Sequence, residues 1–263
     1  MPYYKNGSLK SLIDKKFLTV RETLRYSIQF LSGLNNIHSK KLMHFDIKPD
    51  NILLSDSDEA LLSDFGLAKA MDNFGFANPD GVYPKQVPPE FFLSTDKTIQ
   101  FDIYLAGLTI YRLLNGNTHY NSQFAFPDQN SYVTAIKNGS FPNRDSYLPH
   151  VPIKLQRVVN KALNIDLNKR HKNVLELINE LSDVDQNLDW RYEPNGTSVS
   201  WNKELDDRTY TVTIDKTSTN NLNLTTIKSM HGSGKQYRVK DDCHTNLTNN
   251  NVKSKLKKAL KNS

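Results

Sequence analysis

The chain has 263 residues, of which 37% are hydrophobic and 24% charged, so it can fill a core and lacks the composition of a disordered protein. Its length predicts one substantial domain and a smaller one. The single cysteine, Cys243, excludes an intramolecular disulfide, and no apolar run reaches the length of a membrane span or a signal-peptide core. These features predict a cytoplasmic protein with no membrane segment.

The net charge of +6 lies almost entirely in the last third of the chain. Residues 186–263 hold thirteen Lys or Arg and eight Asp or Glu, a net charge of +5, which leaves +1 for residues 1–185. The charge of the first 185 residues therefore gives no support for nucleic-acid binding by that part.

Apolar residues at helical spacing dominate residues 1–185. The clearest predicted helix is Val20–Ser39, where Leu24, Ile28 and Leu31 share one face. Short β-prone runs follow at Ile52–Leu54 and Ala60–Leu62. Further helices are predicted over residues 8–15, 101–114, 131–138, 154–163 and 174–181.

The pattern changes after residue 185. Short Thr- and aromatic-rich runs with alternating polarity predict strands at residues 190–194, 197–201, 210–214, 222–227 and 237–239. In residues 250–261, Val252, Leu256 and Leu260 recur among five lysines, which predicts a basic amphipathic helix. The expected fold class is α+β: a mainly helical domain over residues 1–185 and a small basic β-rich module with a terminal helix over residues 186–263.

The most specific motif is His44-Phe-Asp-Ile-Lys-Pro-Asp-Asn51, followed by Asp64-Phe-Gly66. The first motif fixes four residue types and their spacing at once. Further landmarks follow in order: Val87-Pro-Pro-Glu90, Asp102 with Gly107, and Arg170. Together they resemble the C-terminal lobe of eukaryotic-type Ser/Thr protein kinases, from residue 2 to about residue 181.

The resemblance implies roles for individual residues in ATP-dependent, Mg²⁺-dependent phosphoryl transfer to a protein substrate. Asp46 stands where the family's carboxylate accepts the hydroxyl proton, and Lys48 where a cation steadies the transferred phosphoryl group. Asn51 and Asp64 stand at the two Mg²⁺-ligand positions. Tyr3 and Tyr4 lie in a hinge-like segment whose backbone binds adenine. The remaining motif residues are expected to be structural: His44, Phe65, Gly66, Glu90, Asp102 and Arg170.

Met1 falls just before the hinge-like segment, so the glycine-rich loop, strand lysine and helix glutamate of the family's N-terminal lobe do not appear in the sequence. We expect a truncated chain with little activity alone. Its exposed cleft floor would be covered by the missing lobe or by a partner. The alternative is a catalytically inactive kinase-like scaffold with a basic partner-binding tail.

Two departures from the family pattern bear on regulation and specificity. Phe45 replaces the arginine that commonly pairs with an activation-loop phosphate, and residues 66–92 contain no Ser or Thr. Phosphorylation of this loop is therefore not expected to switch the protein. Tyr83 occupies a position where Ser/Thr kinases usually carry threonine, whereas Lys48 is typical of Ser/Thr enzymes. Ser/Thr specificity is favoured, and Tyr specificity stays open.

Several residues are expected to have no role in chemistry. The tail aromatics, such as Trp190 and Trp201, are favoured as core residues over a base-stacking surface, so nucleic acid is not the expected partner. His119, His150 and His171 show no metal-ligand spacing and are expected at the surface or at helix caps.

Overall fold

The computed structural model describes residues 4–218 and 221–262. It divides into two compact units. Unit 1 comprises Met1–Lys16, Glu22–Tyr147 and Ile153–Val184, and unit 2 comprises Phe17–Arg21, Leu148–Pro152 and Asp185–Ser263. Helices dominate the first unit and strands the second, which confirms the predicted α+β class. None of the helices in the described ranges has the length and apolarity needed to cross a bilayer.

The helices of residues 4–184 are α1 Leu9–Ile13, α2 Val20–Ser39, α3 Gln100–Asn115, α4 Asn117–Asn121, α5 Gln129–Lys137, α6 Ile153–Ala162 and α7 Val174–Ser182. Two short antiparallel pairs accompany them: β1 Leu42–Met43 with β4 Lys69–Ala70, and β2 Ile52–Leu54 with β3 Ala60–Leu62. Ser63 continues β3 and donates its backbone N–H to the Asn51 carbonyl at 2.9 Å. The two predicted motifs are thereby brought side by side.

Helix α3 forms the centre of unit 1. Every residue from Phe101 to Asn115 is buried, as expected for a helix that is apolar on nearly all sides. Gly107 allows a close approach to α6, because a Cβ atom on Gly107 would lie 2.8 Å from the Cβ of Ala162. A fixed α3 gives the site residues at its N-terminus a rigid base.

Unit 2 is built on an antiparallel sheet with strand order β10-β8-β7-β6-β5, in which β9 also pairs with β8. The strands are β5 Arg191–Asn195, β6 Ser198–Glu204, β7 Arg208–Ser218, β8 Asn221–Met230, β9 Gln236–Arg238 and β10 His244–Leu247, and helix α8 spans Asn249–Asn262. Trp201, Val212 and Leu224 share a core with Leu256 and Leu260 of α8. Strand alternation thus supplies one apolar face, and α8 packs against it.

For two histidines the expectation of a surface or helix-cap position is wrong. His150 and His171 are buried rather than at the surface. The His150 ring accepts a hydrogen bond at Nδ1 from Trp201 Nε1 at 3.2 Å, and burial lowers the pKa of His150 to about 4. His171 Nε2 lies 3.0 Å from Glu180 Oε2. The partner of His150 is Trp201, far away in the sequence, and the partner of His171 is Glu180 on helix α7. The spacing of neighbouring residues in the sequence does not reveal such contacts.

Candidate active site

Asp102, in the first turn of α3, fixes the backbone of the loop that carries Asp46. Its carboxylate is fully buried and accepts hydrogen bonds from the backbone N–H groups of His44 and Phe45, each at 2.8 Å. His38 Nε2 lies 2.8 Å from the same carboxylate. Phe45 has φ of +67°, an uncommon conformation for a bulky residue. The two backbone hydrogen bonds to Asp102 offset this strain.

His44 connects the loop to the strand that precedes Asp64. Its Nδ1 accepts from the backbone N–H of Asp46 at 3.2 Å, and its Nε2 lies 3.0 Å from the Ser63 carbonyl oxygen. Burial lowers the pKa of His44, so the ring is neutral near pH 7 and donates from Nε2. The motif histidine therefore links two segments of the site.

Asp46, Lys48 and Asn51 form one cluster. Lys48 Nζ lies 2.8 Å and 2.7 Å from the two carboxylate oxygens of Asp46. Asn51 Nδ2 donates to Asp46 Oδ2 at 2.7 Å and to the Asp46 carbonyl at 2.9 Å. Asp46 is only 9% exposed. The carboxylate is held in one orientation by charge-assisted hydrogen bonds, which is the preorganisation that a proton acceptor requires.

Asp64 lies at the wall of an open cavity. The cavity has a volume of about 230 Å³, and Tyr4, Leu53 and Phe65 line it together with Asp64. Asp64 has φ of +60° and accepts a hydrogen bond from the Gly66 N–H at 3.3 Å. The mainly apolar wall suits a flat apolar group, and the one carboxylate suits a cation beside it. Tyr3, the other hinge-like residue, lies outside the described residues.

The aromatic ring of Phe65 is half-exposed and lies 5.0 Å from the His44 ring, measured between centroids. Gly66 follows it, and a Cβ atom there would lie 3.2 Å from Asp64 Oδ1. A side chain at Gly66 would therefore crowd the carboxylate. Asp64 itself is exposed.

The donor set fits a Mg²⁺ ion bound together with phosphate. Within the described ranges, no three His, Cys, Asp or Glu side chains gather as a metal site. Mg²⁺ commonly uses one or two protein ligands and completes its coordination with phosphate oxygens and water. Asn51 directs its amide nitrogen to Asp46, so its amide oxygen is the atom left for a cation. Asn51 and Asp64 are thus hard oxygen donors of the type that Mg²⁺ prefers.

Glu90 and Arg170 form a buried bidentate pair. Arg170 donates from its two terminal nitrogens to Glu90 Oε1 at 2.6 Å and Oε2 at 2.8 Å, and it also donates to the Gln100 carbonyl at 3.0 Å. The Arg170 guanidinium lies over the Tyr104 ring at 4.8 Å. The pair and the hydrogen bond to Gln100 join the Val87-Pro-Pro-Glu90 motif to the start of α3.

A second buried network was not predicted from the sequence. Gln86 Nε2 donates to the Ile47 carbonyl at 2.6 Å, and Arg112 donates to Gln86 Oε1 at 2.8 Å. Arg112 also donates to Asn117 Oδ1 at 2.9 Å, and Asn117 donates to Asp14 at 2.6 Å. Through Gln86, the network ties the chain just before the Val87-Pro-Pro-Glu90 motif to Ile47, the residue that follows Asp46. Its only sequence signal is the position of Gln86 directly before the Val87-Pro-Pro-Glu90 motif.

The two departures from the kinase pattern have a structural counterpart. Phe45 is buried and packs against Phe101 with 5.2 Å between ring centroids, so a core contact stands where the family commonly has an arginine. Tyr83 places its ring 4.7 Å from Lys48 Nζ, a distance typical of a cation–π contact. Tyr83 thus contacts the cluster through its ring face.

Comparison with known proteins gives a consistent result. Residues 1–185 match the protein kinase domain family. The chain is 28% identical over 212 residues to the probable serine/threonine-protein kinase PknB of Lactococcus lactis, covering 79% of this chain and 32% of that protein. It is 30% identical over 165 residues to serine/threonine-protein kinase atg1 of Dictyostelium discoideum, covering 61% and 23%.

The serine/threonine-protein kinase PknK of Mycobacterium bovis is 29% identical over 203 residues, covering 76% of this chain and 17% of that protein. The chain therefore spans a third or less of the length of these curated relatives. The family match extends over well more than half of the chain, and it includes the Asp46 cluster, Asp64 and the Glu90–Arg170 pair. The chain belongs to the protein kinase domain family.

Proposed function

We propose that this chain carries the phosphoryl-transfer residues of a serine/threonine protein kinase that uses ATP and Mg²⁺. The observation that carries the proposal is the Asp46 carboxylate, which Lys48 and Asn51 hold at 2.7–2.8 Å in a nearly buried position. The family membership and the serine/threonine kinases among the relatives support this reaction class.

Each residue of the cluster has a physical task in this proposal. Asp46 orients the attacking hydroxyl of the protein substrate and accepts its proton. Lys48 places positive charge beside the transferred phosphoryl group, where negative charge accumulates. Asn51 and Asp64 provide the oxygen ligands for Mg²⁺, and that ion, when bound, neutralises charge on the phosphates. Tyr4 and Leu53 offer the cavity wall for the adenine ring, with Tyr3 next in the chain.

Serine or threonine is the proposed acceptor. The Lys48–Asp46 pair supports this class, since the resemblance that identifies Lys48 is to Ser/Thr enzymes. A cytoplasmic location is part of the same proposal.

The experiment compares Asp46→Asn with the control Asp56→Asn in the protein as its gene encodes it. Asp56 is an exposed acid in the β2–β3 turn, and its ion pair with Lys5, at 3.4 Å, is exposed as well. The assay measures the steady-state rate at which labelled phosphate is transferred from MgATP to a mixture of proteins offered as substrates. Loss of a positioned proton acceptor lowers the rate by about 10²–10⁴-fold, whereas the control is expected to match the wild type.

An Asp46→Asn protein with the wild-type rate would remove Asp46 from this role. A wild-type protein that binds MgATP and yet transfers no phosphate would favour the inactive scaffold. Nucleotide binding is followed separately by fluorescence of a labelled ATP analogue, so that failure of binding and failure of chemistry are told apart.

A further inference from the structure

Helix α8 carries a set of lysines that are not packed into the fold. Its five lysines, Lys253, Lys255, Lys257, Lys258 and Lys261, are all exposed. Among the described residues, none of them has a carboxylate within 4.0 Å. The helix itself contains no acidic residue. Four of these residues form what we call the lysine face: Lys253, Lys257, Lys258 and Lys261.

The net positive charge of the module comes entirely from this helix. Residues 186–248 contain eight basic and eight acidic residues, so their net charge is zero, and α8 holds the entire net charge of +5 of the module. Lys253, Lys257 and Lys261 recur at i, i+4 and i+8 and therefore share a side of the helix. Like charges at this spacing destabilise a helix by about 0.2–0.5 kcal/mol per pair.

The opposite side of α8 is fully occupied by the module's core. Val252, Leu256, Ala259 and Leu260 are buried, and the Leu260 carbonyl accepts a hydrogen bond from Trp190 Nε1 at 3.0 Å. These contacts fix the rotation of the helix and therefore the direction of the lysine face. They also leave no apolar face for insertion into a membrane surface, which interfacial helices require.

We propose that the lysine face binds a short acidic segment of a partner protein. Successive lysines of the i, i+4, i+8 row rise about 6 Å along the helix, and alternate side chains of an extended peptide are about 6.6–6.8 Å apart. An extended segment with acidic residues at alternate positions can therefore meet all three lysines in register.

The observations favour a protein segment over nucleic acid. Trp190 and Trp201 are buried, so they provide no platform on which bases could stack. The remainder of the module has a net charge of zero, so it adds no net attraction for a longer phosphate backbone. The row spans only about 12 Å, which matches a short segment. The proposal does not depend on the phosphoryl-transfer proposal, because it concerns a separate surface.

The test uses fluorescence anisotropy with the full chain and a labelled peptide of alternating Glu and Ser, beside the same peptide with Gln in place of Glu. The variant is the triple change Lys253→Gln, Lys257→Gln and Lys261→Gln. Its matched control removes the same charge elsewhere in the module, at the exposed Lys216, Lys235 and Lys240. Mixed-sequence single-stranded and duplex oligonucleotides are measured in parallel.

The Glu peptide is expected to bind at low salt, to bind more weakly as salt screens the charges, and to bind better than the Gln peptide. The triple variant is expected to lose about tenfold in affinity, because each of three exposed ion pairs contributes a few-fold. The control triple is expected to change affinity less than about twofold. Circular dichroism and tryptophan fluorescence verify that both variants fold.

Three outcomes would overturn the proposal. If both triple variants lose the same affinity for the Glu peptide, the net charge of the module alone attracts the peptide. Tighter binding of an oligonucleotide, lost in the lysine-face variant, would assign the surface to nucleic acid. Absence of any Glu-specific binding at low salt would mean that the lysine face is simply solvated.

Discussion

Helices α3 and α8 use charged residues in opposite ways. In α3, Asp102 is buried and accepts hydrogen bonds from two backbone N–H groups, and its neighbours on every side are core residues. In α8, one side is core, and the lysines on the other side are exposed and have no acidic partner within the part of the chain that the structure describes. The charge of Asp102 fixes the geometry of the candidate site, whereas the charges of α8 lie open to solvent, where we propose that they bind another molecule. Substitutions in each helix should therefore have different effects.

Asp102→Ala should have the largest effect on stability. The change leaves the N–H groups of His44 and Phe45 and the His38 ring without their buried acceptor, so we expect the free energy of unfolding to fall by about 3–5 kcal/mol. Urea unfolding measures this loss. The exposed control Asp56→Ala should stay within about 0.5 kcal/mol of the wild type. A loss below about 1 kcal/mol for Asp102→Ala would show that Asp102 does not anchor the loop.

His150→Asn tests a buried neutral group in unit 2. Burial lowers the folded-state pKa of His150 to about 4 from 6.5, so the unfolded state binds the proton more readily. Stability from this group is therefore present above pH 6.5 and is lost as pH falls to about 4, a total of about 3 kcal/mol.

In the Asn variant, which keeps an acceptor for Trp201, this part of the pH dependence should disappear. Urea unfolding followed by the fluorescence of Trp190 and Trp201, both in unit 2, measures the difference between the two proteins from pH 7 to pH 4. Carboxylates that titrate in the same pH range are present in both proteins, so their contribution cancels in the difference between the two unfolding free energies. Parallel curves for wild type and variant would contradict the assignment.

Gly107→Ala tests the close packing of α3 against α6. The added methyl group would lie 2.8 Å from the Ala162 Cβ and 3.4 Å from its carbonyl carbon, so a helix must shift. We expect a loss of about 1–3 kcal/mol, as is usual for overpacking. The control Gly81→Ala has no heavy atom within 4 Å of the new Cβ and should be nearly neutral. Thermal unfolding compares the two, and equal melting temperatures would rule out the packing argument.

Lys257→Glu should change the free energy of unfolding least and should raise it rather than lower it. It replaces two repulsive i, i+4 pairs, with Lys253 and Lys261, by attractive ones, so stability should rise by up to about 1 kcal/mol. Lys235→Glu, in the exposed turn between β8 and β9, is the control and should change little. A clear loss of stability in Lys257→Glu would mean that the fold itself needs this lysine.

The sequence predicted well the elements with a clear apolar pattern, whether long or short. Helix α2 has the predicted bounds of Val20–Ser39, and β2 and β3 also match, because their apolar pattern extends over the whole element. Helix α4 and strand β10 were not predicted. They contain five and four residues, and most of their residues are polar, so their conformation depends on tertiary contacts rather than on a periodic pattern.

The site could be predicted only in part. Motif spacing placed Asp46, Lys48 and Asn51 in one loop, and their mutual hydrogen bonds follow from that spacing. The chain of contacts from Gln86 through Arg112 to Asp14 could not be foreseen, because Asn117 and Asp14 are 103 residues apart. Hydrogen bonds between distant polar residues leave no periodic signal in a single sequence.

The most direct test of the central claim is the single-turnover rate of phosphoryl transfer in the Asp46→Asn protein with MgATP and substrate already bound. Under these conditions substrate binding no longer limits the rate, so the measurement reports the proton acceptor alone. We predict a rate about 10²–10⁴-fold below that of the wild type, with nucleotide affinity unchanged within about twofold. A single-turnover rate equal to that of the wild type would contradict the account.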